Sequence, residues 1–83
     1  GLEQIVAAFM RHERAVLLGD FNRPPGHESF ARLYDAGVID ALSSEDNQRV
    51  DHIFVRGFQV LSAWALPPGP SDHPFFAARL SLS

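Results

Sequence analysis

Three short motifs place carboxylate, amide and imidazole side chains next to apolar runs. The sequence GDFN occupies positions 19–22, VDHIFV occupies positions 50–55, and SDHP occupies positions 71–74. Carboxylates bind Mg²⁺ or Mn²⁺ and orient or deprotonate water, and an imidazole held by a carboxylate can hydrogen-bond a phosphoryl oxygen. Brought together, the three motifs would supply the groups that hydrolysis of a phosphoester requires.

The first motif ends a strand pattern. The run 15–18 is apolar throughout, which is typical of a strand buried on both faces, and Arg23-Pro24-Pro25 cannot continue a ladder. Polar groups at the carboxyl end of such a strand lie where open α/β sheets bind their ligands. The pattern therefore predicts that Asp20 and Asn22 lie at a functional edge.

The second motif alternates in a way that separates its two polar residues. Asp51 shares one strand face with Ile53, whereas His52 shares the other with Phe54. Asp is depleted in strands and a buried carboxylate needs a partner, so Asp51 is a candidate site residue. His52 is interpreted as structural or as part of the substrate rim.

Simpler interpretations exist when each residue is taken alone. Asp20 and Asn22 favour turns because their side chains bond nearby backbone. Arg23 and Arg49 lie in predicted loops near the site, where they either contact substrate phosphates or stay in solvent. Three motifs in order favour the chemical interpretation for Asp20 and Asn22.

GDFN, VDHIFV and SDHP, with a helix-sized insert after the first, resemble the carboxyl-terminal half of the endonuclease/exonuclease/phosphatase family. These are metal-dependent phosphoesterases related to DNase I and exonuclease III, and the resemblance extends from about Leu2 to Leu82. It implies one unit over residues 1–83 that forms half of an α-β-β-α sandwich. The family's principal metal carboxylate belongs to the amino-terminal half, which we expect to be missing here.

The resemblance also implies roles for individual residues. Asp20 would orient and activate the water, and Asn22 would position the water and the phosphate. His73 would contact the scissile phosphate, Asp51 would hold His73, and Asp72 would face the metal, as Asp20 also would. Which of the two aspartates activates the water stays open. The implied cofactor is Mg²⁺ or Mn²⁺, bound weakly without the principal carboxylate.

Composition limits the class of protein. The net charge of −3 lacks the basic excess of most nucleic-acid binders, although a bound metal can supply positive charge for a phosphoester substrate. Without Cys there is no disulfide framework and no thiolate metal site. No apolar run approaches the ~20 residues that span a bilayer, so we expect a soluble protein without a membrane partner.

The predicted elements are a helix over 2–12, a strand over 15–19, a helix over 28–36, a short strand over 38–42, and strands over 50–56, 58–66 and 75–80. They predict an α+β fold in which helices cover one face of a single mixed or antiparallel sheet. We expect 50–56 and 58–66 to form a hairpin. The polar loop 43–49 is expected to have no packed role.

The sheet face without helices is expected to expose apolar side chains such as Phe54 or Trp64. Such a patch implies a partner. We expect either a homodimer formed by sheet-on-sheet packing or association with the amino-terminal half.

The leading functional hypothesis is a fragment of a Mg²⁺-dependent phosphoesterase, foremost a nuclease, that is weakly active or inactive alone. The alternatives are a non-catalytic, self-assembling half-domain, or part of a phosphomonoesterase or lipid phosphodiesterase. A serine-hydrolase relay is excluded because the contiguous side chains of Ser71, Asp72 and His73 diverge, and no G-x-S-x-G elbow is present.

Overall fold

The structure is a computed structural model that describes residues 1–43, 47–67 and 75–82. Its elements in chain order are helix α1 (Leu2–Phe9), strand β1 (Ala15–Asp20), a 3₁₀ turn (Glu28–Phe30), helix α2 (Ala31–Asp35), and strands β2 (Ile39–Asp40), β3 (Asp51–Arg56), β4 (Phe58–Ala65) and β5 (Phe76–Leu82). The α+β class is confirmed. Within the described residues, no helix has the length and apolar character that crossing a bilayer would require.

The strands are divided between two antiparallel sheets instead of one. β1, β3 and β2 form a three-stranded sheet with β3 in the centre, and β4 pairs with β5 in a two-stranded sheet. The predicted hairpin between 50–56 and 58–66 is therefore wrong. A strand has only two hydrogen-bonding edges, and β1 and β2 already occupy both edges of β3. β4 must find another partner after the chain turns at Gly57, which has a φ of 78°.

Both helices pack on the same face of the three-stranded sheet, which we call the inner face. The core on this side consists of Val6, Phe9, Phe30, Leu33, Val38 and Phe54. Phe54 was predicted to be exposed, and this is wrong, because it is fully buried and its ring lies 5.0 Å from that of Phe30. The helices cover the face that carries Phe54, so the exposed apolar side chains lie on the opposite face.

The opposite face, which we call the outer face, is defined by residues that lie directly across the β1–β3 ladder. The pairs are Val16–Val55, Leu18–Ile53 and Asp20–Asp51. Side chains directly opposite each other in an antiparallel pair project to the same side. Leu18 is 66% exposed there, and Ile39 of β2, opposite Val55, is also exposed. Trp64 of β4 is exposed, as predicted.

Candidate functional site

Two predicted site residues meet at one end of the outer face. Asp20 is the last residue of β1, Asp51 is the first residue of β3, and the register places them directly opposite each other. The Cβ atoms of such a pair lie about 4.5–5.5 Å apart, and like charges in this position destabilise a sheet. The β1–β3 register therefore brings two carboxylates to one place on the outer face.

The turn that follows β1 orients Asp20. The backbone N–H of Asn22 donates to Asp20 Oδ1 at 2.8 Å, and Asn22 adopts a left-handed conformation with a φ of 55°. The N–H of Phe21 donates to the Val50 carbonyl at 2.9 Å, which ties the turn to the residue before β3. The turn-forming interpretation is thus correct for one Asp20 oxygen. The other oxygen, Oδ2, has no hydrogen-bond partner among the described residues.

Asp20 and Asp51 line a shallow cavity of about 240 Å³ on the outer face. Its remaining wall is mostly apolar, and it includes Leu18, Ile53 and the aromatic ring of Phe75. Sequence analysis missed Phe75 as a site residue, although it follows the SDHP motif almost directly. An apolar wall beside two carboxylates lowers the local dielectric and strengthens electrostatic contacts to a bound ion or substrate.

The structure does not bring every predicted residue to this cavity. The Arg23 side chain lines a different cavity on the helix side, together with Ser29 and Arg32. The reason is that the chain has already turned away from the outer face after Asn22. Asp72 and His73 lie outside the described residues, so their roles stay predictions.

A buried polar cluster that sequence analysis missed lies beneath the site on the inner face. Asp40 is only 3% exposed, and its Oδ2 accepts a hydrogen bond from Arg49 Nη2 at 2.5 Å and lies 2.9 Å from His52 Nδ1. Its Oδ1 accepts from the backbone N–H of Leu42 at 3.0 Å. We call Asp40, Arg49 and His52 the buried triad.

Arg49 corrects the prediction that the loop 43–49 has no packed role. Its side chain is buried by the contact with Asp40. The sequence did contain a signal, since Asp40 interrupts the apolar stretch 38–42. A carboxylate in such a stretch must either face water or find a cation and backbone donors, and Asp40 does the latter.

His52 has a structural role, which is one of the two interpretations that the sequence allowed. It is 1% exposed, and its ring lies 4.9 Å from that of Phe30 and stacks on that of Phe54 at 5.3 Å. Its Nε2 donates to the Arg23 carbonyl at 2.7 Å. The triad therefore contacts the backbone of the residue that follows the Asp20–Asn22 turn.

Tyr34 of α2 lies near the triad. Its hydroxyl donates to the Pro25 carbonyl at 2.9 Å, which ties α2 to the proline loop. Partial burial raises the pKa of Tyr34, and the negative charge of Asp40 raises it further, whereas the positive charge of Arg49 opposes the shift. Tyr34 therefore keeps its proton and this hydrogen bond throughout the neutral range.

Two carboxylates are what the described residues at the site could offer a metal ion. No group of three or more His, Cys, Asp or Glu side chains close enough to hold a cation occurs within residues 1–43, 47–67 and 75–82. Asp20 and Asp51 supply carboxylate oxygens, the ligands that Mg²⁺ and Mn²⁺ prefer. Because Mg²⁺ usually binds through one or two carboxylates, with water completing its shell, this donor set fits such an ion.

Comparison with known proteins identifies one family. The Endonuclease/Exonuclease/phosphatase family model matches residues 2–73, which is most of the chain. The matched stretch contains Asp20, Asp51 and the whole buried triad. Comparison with curated proteins and with solved structures gives no match.

Proposed function

Since the chain belongs to the endonuclease/exonuclease/phosphatase family, we propose that it carries part of the active site of a Mg²⁺- or Mn²⁺-dependent phosphodiesterase, foremost a nuclease. The family supports a phosphoesterase- or nuclease-type hydrolase. The observation that carries the finer proposal is the placement of Asp20 opposite Asp51, next to the Asn22 turn. Two carboxylates on one face of the sheet offer both a cation site and a base that can deprotonate water.

Each group has a distinct task in the proposed reaction. Asp20 Oδ2 orients the attacking water, because Oδ1 is held by the turn. Asn22, whose side chain is exposed, positions the phosphate. His73 contacts the scissile phosphate, and Asp51 orients His73.

Asp20 and Asp72 would hold the metal ion in this proposal. When bound, the ion supplies positive charge that offsets the charge developing on the phosphate.

Replacing Asp20 by Asn tests the proposal. The amide oxygen of Asn still accepts from the Asn22 N–H, so the turn is retained while the charge is lost. We expect Mg²⁺-dependent hydrolysis of a model phosphodiester to fall about 100-fold or more, measured as product release over time. Asp35→Asn is the matched control, because Asp35 is an exposed aspartate at the end of α2 and its loss should leave the rate unchanged.

The outcome can contradict the proposal clearly. Equal rates for the wild type and Asp20→Asn would remove Asp20 from the chemistry. Hydrolysis that persists unchanged after chelation of divalent ions would contradict the metal requirement. A His73→Ala variant with the wild-type rate would remove His73 from its role. Comparing a nucleic acid with a phosphomonoester and a lipid phosphodiester as substrates separates the nuclease from its alternatives.

The exposed outer face favours a second proposal, self-association. Leu18 and Ile39 are exposed on the outer face, although Val55 on the same face is buried. We infer that this face packs against a second copy, giving a homodimer, or against an amino-terminal half of the domain. In either case the cavity that contains Asp20 and Asp51 would be bounded by the partner.

Sedimentation measures the predicted dimer directly. We expect the wild type to sediment as a dimer at micromolar concentration and Leu18→Glu to sediment as a monomer, since a buried charge without a partner opposes association. Leu82→Glu is the control, because Leu82 is 67% exposed but lies on the other sheet. A folded wild-type monomer at that concentration would contradict the homodimer.

A further inference from the structure

The buried triad borders the candidate site through His52, which lines the cavity and also bonds the loop that follows Asn22. His52 Nε2 lies 2.7 Å from the carbonyl oxygen of Arg23, the residue directly after Asn22. A carbonyl oxygen has no proton to give, so Nε2 must be the donor. This bond joins β3 to the loop across a sequence separation of 29 residues.

The His52 ring is held by polar and aromatic contacts. Its Nδ1 lies 2.9 Å from Asp40 Oδ2, and the ring makes an edge contact with Phe30 and stacks on Phe54. Asp40 is itself fixed by Arg49 and by the Leu42 N–H. A donor that cannot rotate sets the position of the carbonyl that it binds.

The segment that receives this bond lies outside regular secondary structure. After the β1 ladder ends at Asp20, Asn22 takes a left-handed conformation, which Asn adopts more readily than most residues with a side chain. Among the described residues, the turn is held by the Phe21 N–H on Val50, by the Asn22 N–H on Asp20, and by His52 on Arg23. The last of these is the only one that comes from a buried side chain.

We propose that His52, fixed by Asp40 and Arg49, is a positioning residue that sets the Asp20–Asn22 turn through the Arg23 carbonyl. β3 then serves the site twice, since it delivers Asp51 to the outer face and His52 to the inner face. The proposal rests on the proposed function for its effect on activity. The effect on the turn itself can be measured without a substrate.

Two substitutions at His52 separate its two bonds. The side-chain amide of Gln reaches the place of Nε2 and can still donate to Arg23, whereas the shorter amide of Asn reaches only the place of Nδ1 and Asp40. Both variants lose the ring and its contacts with Phe30 and Phe54. Each therefore controls the other for the lost packing. They differ in the contact that remains, since Gln keeps the bond to Arg23 and Asn keeps the contact with Asp40.

We expect His52→Asn to reduce Mg²⁺-dependent phosphodiesterase activity about 10-fold or more relative to His52→Gln, as loss of a supporting hydrogen bond behind metal ligands does. Amide hydrogen exchange should show the same contrast locally. The Phe21 N–H should exchange faster in His52→Asn than in His52→Gln, while the amides of Leu17 and Phe54 in the β1–β3 ladder exchange equally in both. Equal activity and equal Phe21 exchange in the two variants would overturn the proposal.

The wild-type protein provides a measurement that no folding defect can obscure. The Nε2 proton of His52 should give a slowly exchanging imidazole resonance, because it is buried and bonded to Arg23. A rapidly exchanging proton would overturn the proposal. An inactive wild type would contradict hydrolysis by this chain alone, and the Phe21 exchange rates and the Nε2 resonance would then decide the positioning role.

Discussion

Replacing Asp40 by Asn should lower the free energy of unfolding by about 3–5 kcal/mol, because it removes one partner from a buried, charged cluster. Asp40 Oδ2 accepts a hydrogen bond from Arg49 Nη2 and lies 2.9 Å from His52 Nδ1, at a site closed to water. The neutral amide would remove the negative charge that Arg49 Nη2 contacts in the interior. Urea unfolding followed by circular dichroism measures the loss as a shift of the midpoint.

The control for this prediction is Asp35→Asn, which removes the same charge from an exposed position and should change stability by no more than about 0.5 kcal/mol. The double variant Asp40→Asn with Arg49→Met should recover part of the lost unfolding free energy, because it also removes the Arg49 guanidinium that contacted the Asp40 charge. If Asp40→Asn were as stable as the control, Asp40 would have to be solvated and the buried triad would not exist as described. A double variant less stable than Asp40→Asn alone would contradict the electrostatic origin of the effect.

Gly57→Ala is the second substitution with a large expected cost, about 3 kcal/mol of unfolding free energy. Gly57 has a φ of 78°, and a Cβ added there would lie only 2.1 Å from the backbone carbonyl oxygen of Glu13. The left-handed conformation costs about 1–2 kcal/mol for a residue with a Cβ, and the forced displacement of backbone costs about 1–3 kcal/mol more. Thermal or urea unfolding of the variant gives the magnitude.

Gly37→Ala separates the two parts of this cost. Gly37 has a similar φ of 82°, but a Cβ added there would meet nothing within 4 Å. The decrease in unfolding free energy caused by Gly37→Ala should therefore contain only the conformational cost, about 1 kcal/mol. Equal decreases in unfolding free energy for the two variants would show that the backbone around Glu13 can move to make room for the added Cβ without an energetic cost. A much larger loss at Gly57 would show that the approach of the β3–β4 turn to the start of β1 is part of what holds the sheets in place.

Local patterns in the sequence were sufficient for several features of the site. Period-two alternation over 50–56 predicted that Asp51 and His52 lie on opposite faces, and the β1–β3 register agrees. The apolar run 15–18 followed by Asp20 and Asn22 predicted a strand that ends in a polar turn, and both are present. Such features depend on residues within a few positions of one another, so backbone geometry alone determines them.

The pairing partners of each strand could not be predicted from local sequence patterns. β3 carries a pattern that suits a hairpin with β4 as well as a central position between β1 and β2. Only the competition for its two hydrogen-bonding edges decides between them. The burial of Phe54 followed from that choice, because the helices cover the face on which Phe54 lies.

By itself, the sequence determined which residues could do chemistry, the two faces of β3, and the turn after β1. The tertiary structure alone decided that Asp20 lies opposite Asp51 and that Arg49 and His52 converge on Asp40. The physical reason is that these contacts join residues 9 to 31 positions apart, and no local periodicity encodes such pairs. They form because a buried carboxylate must find its hydrogen-bond donors wherever the packed chain brings them.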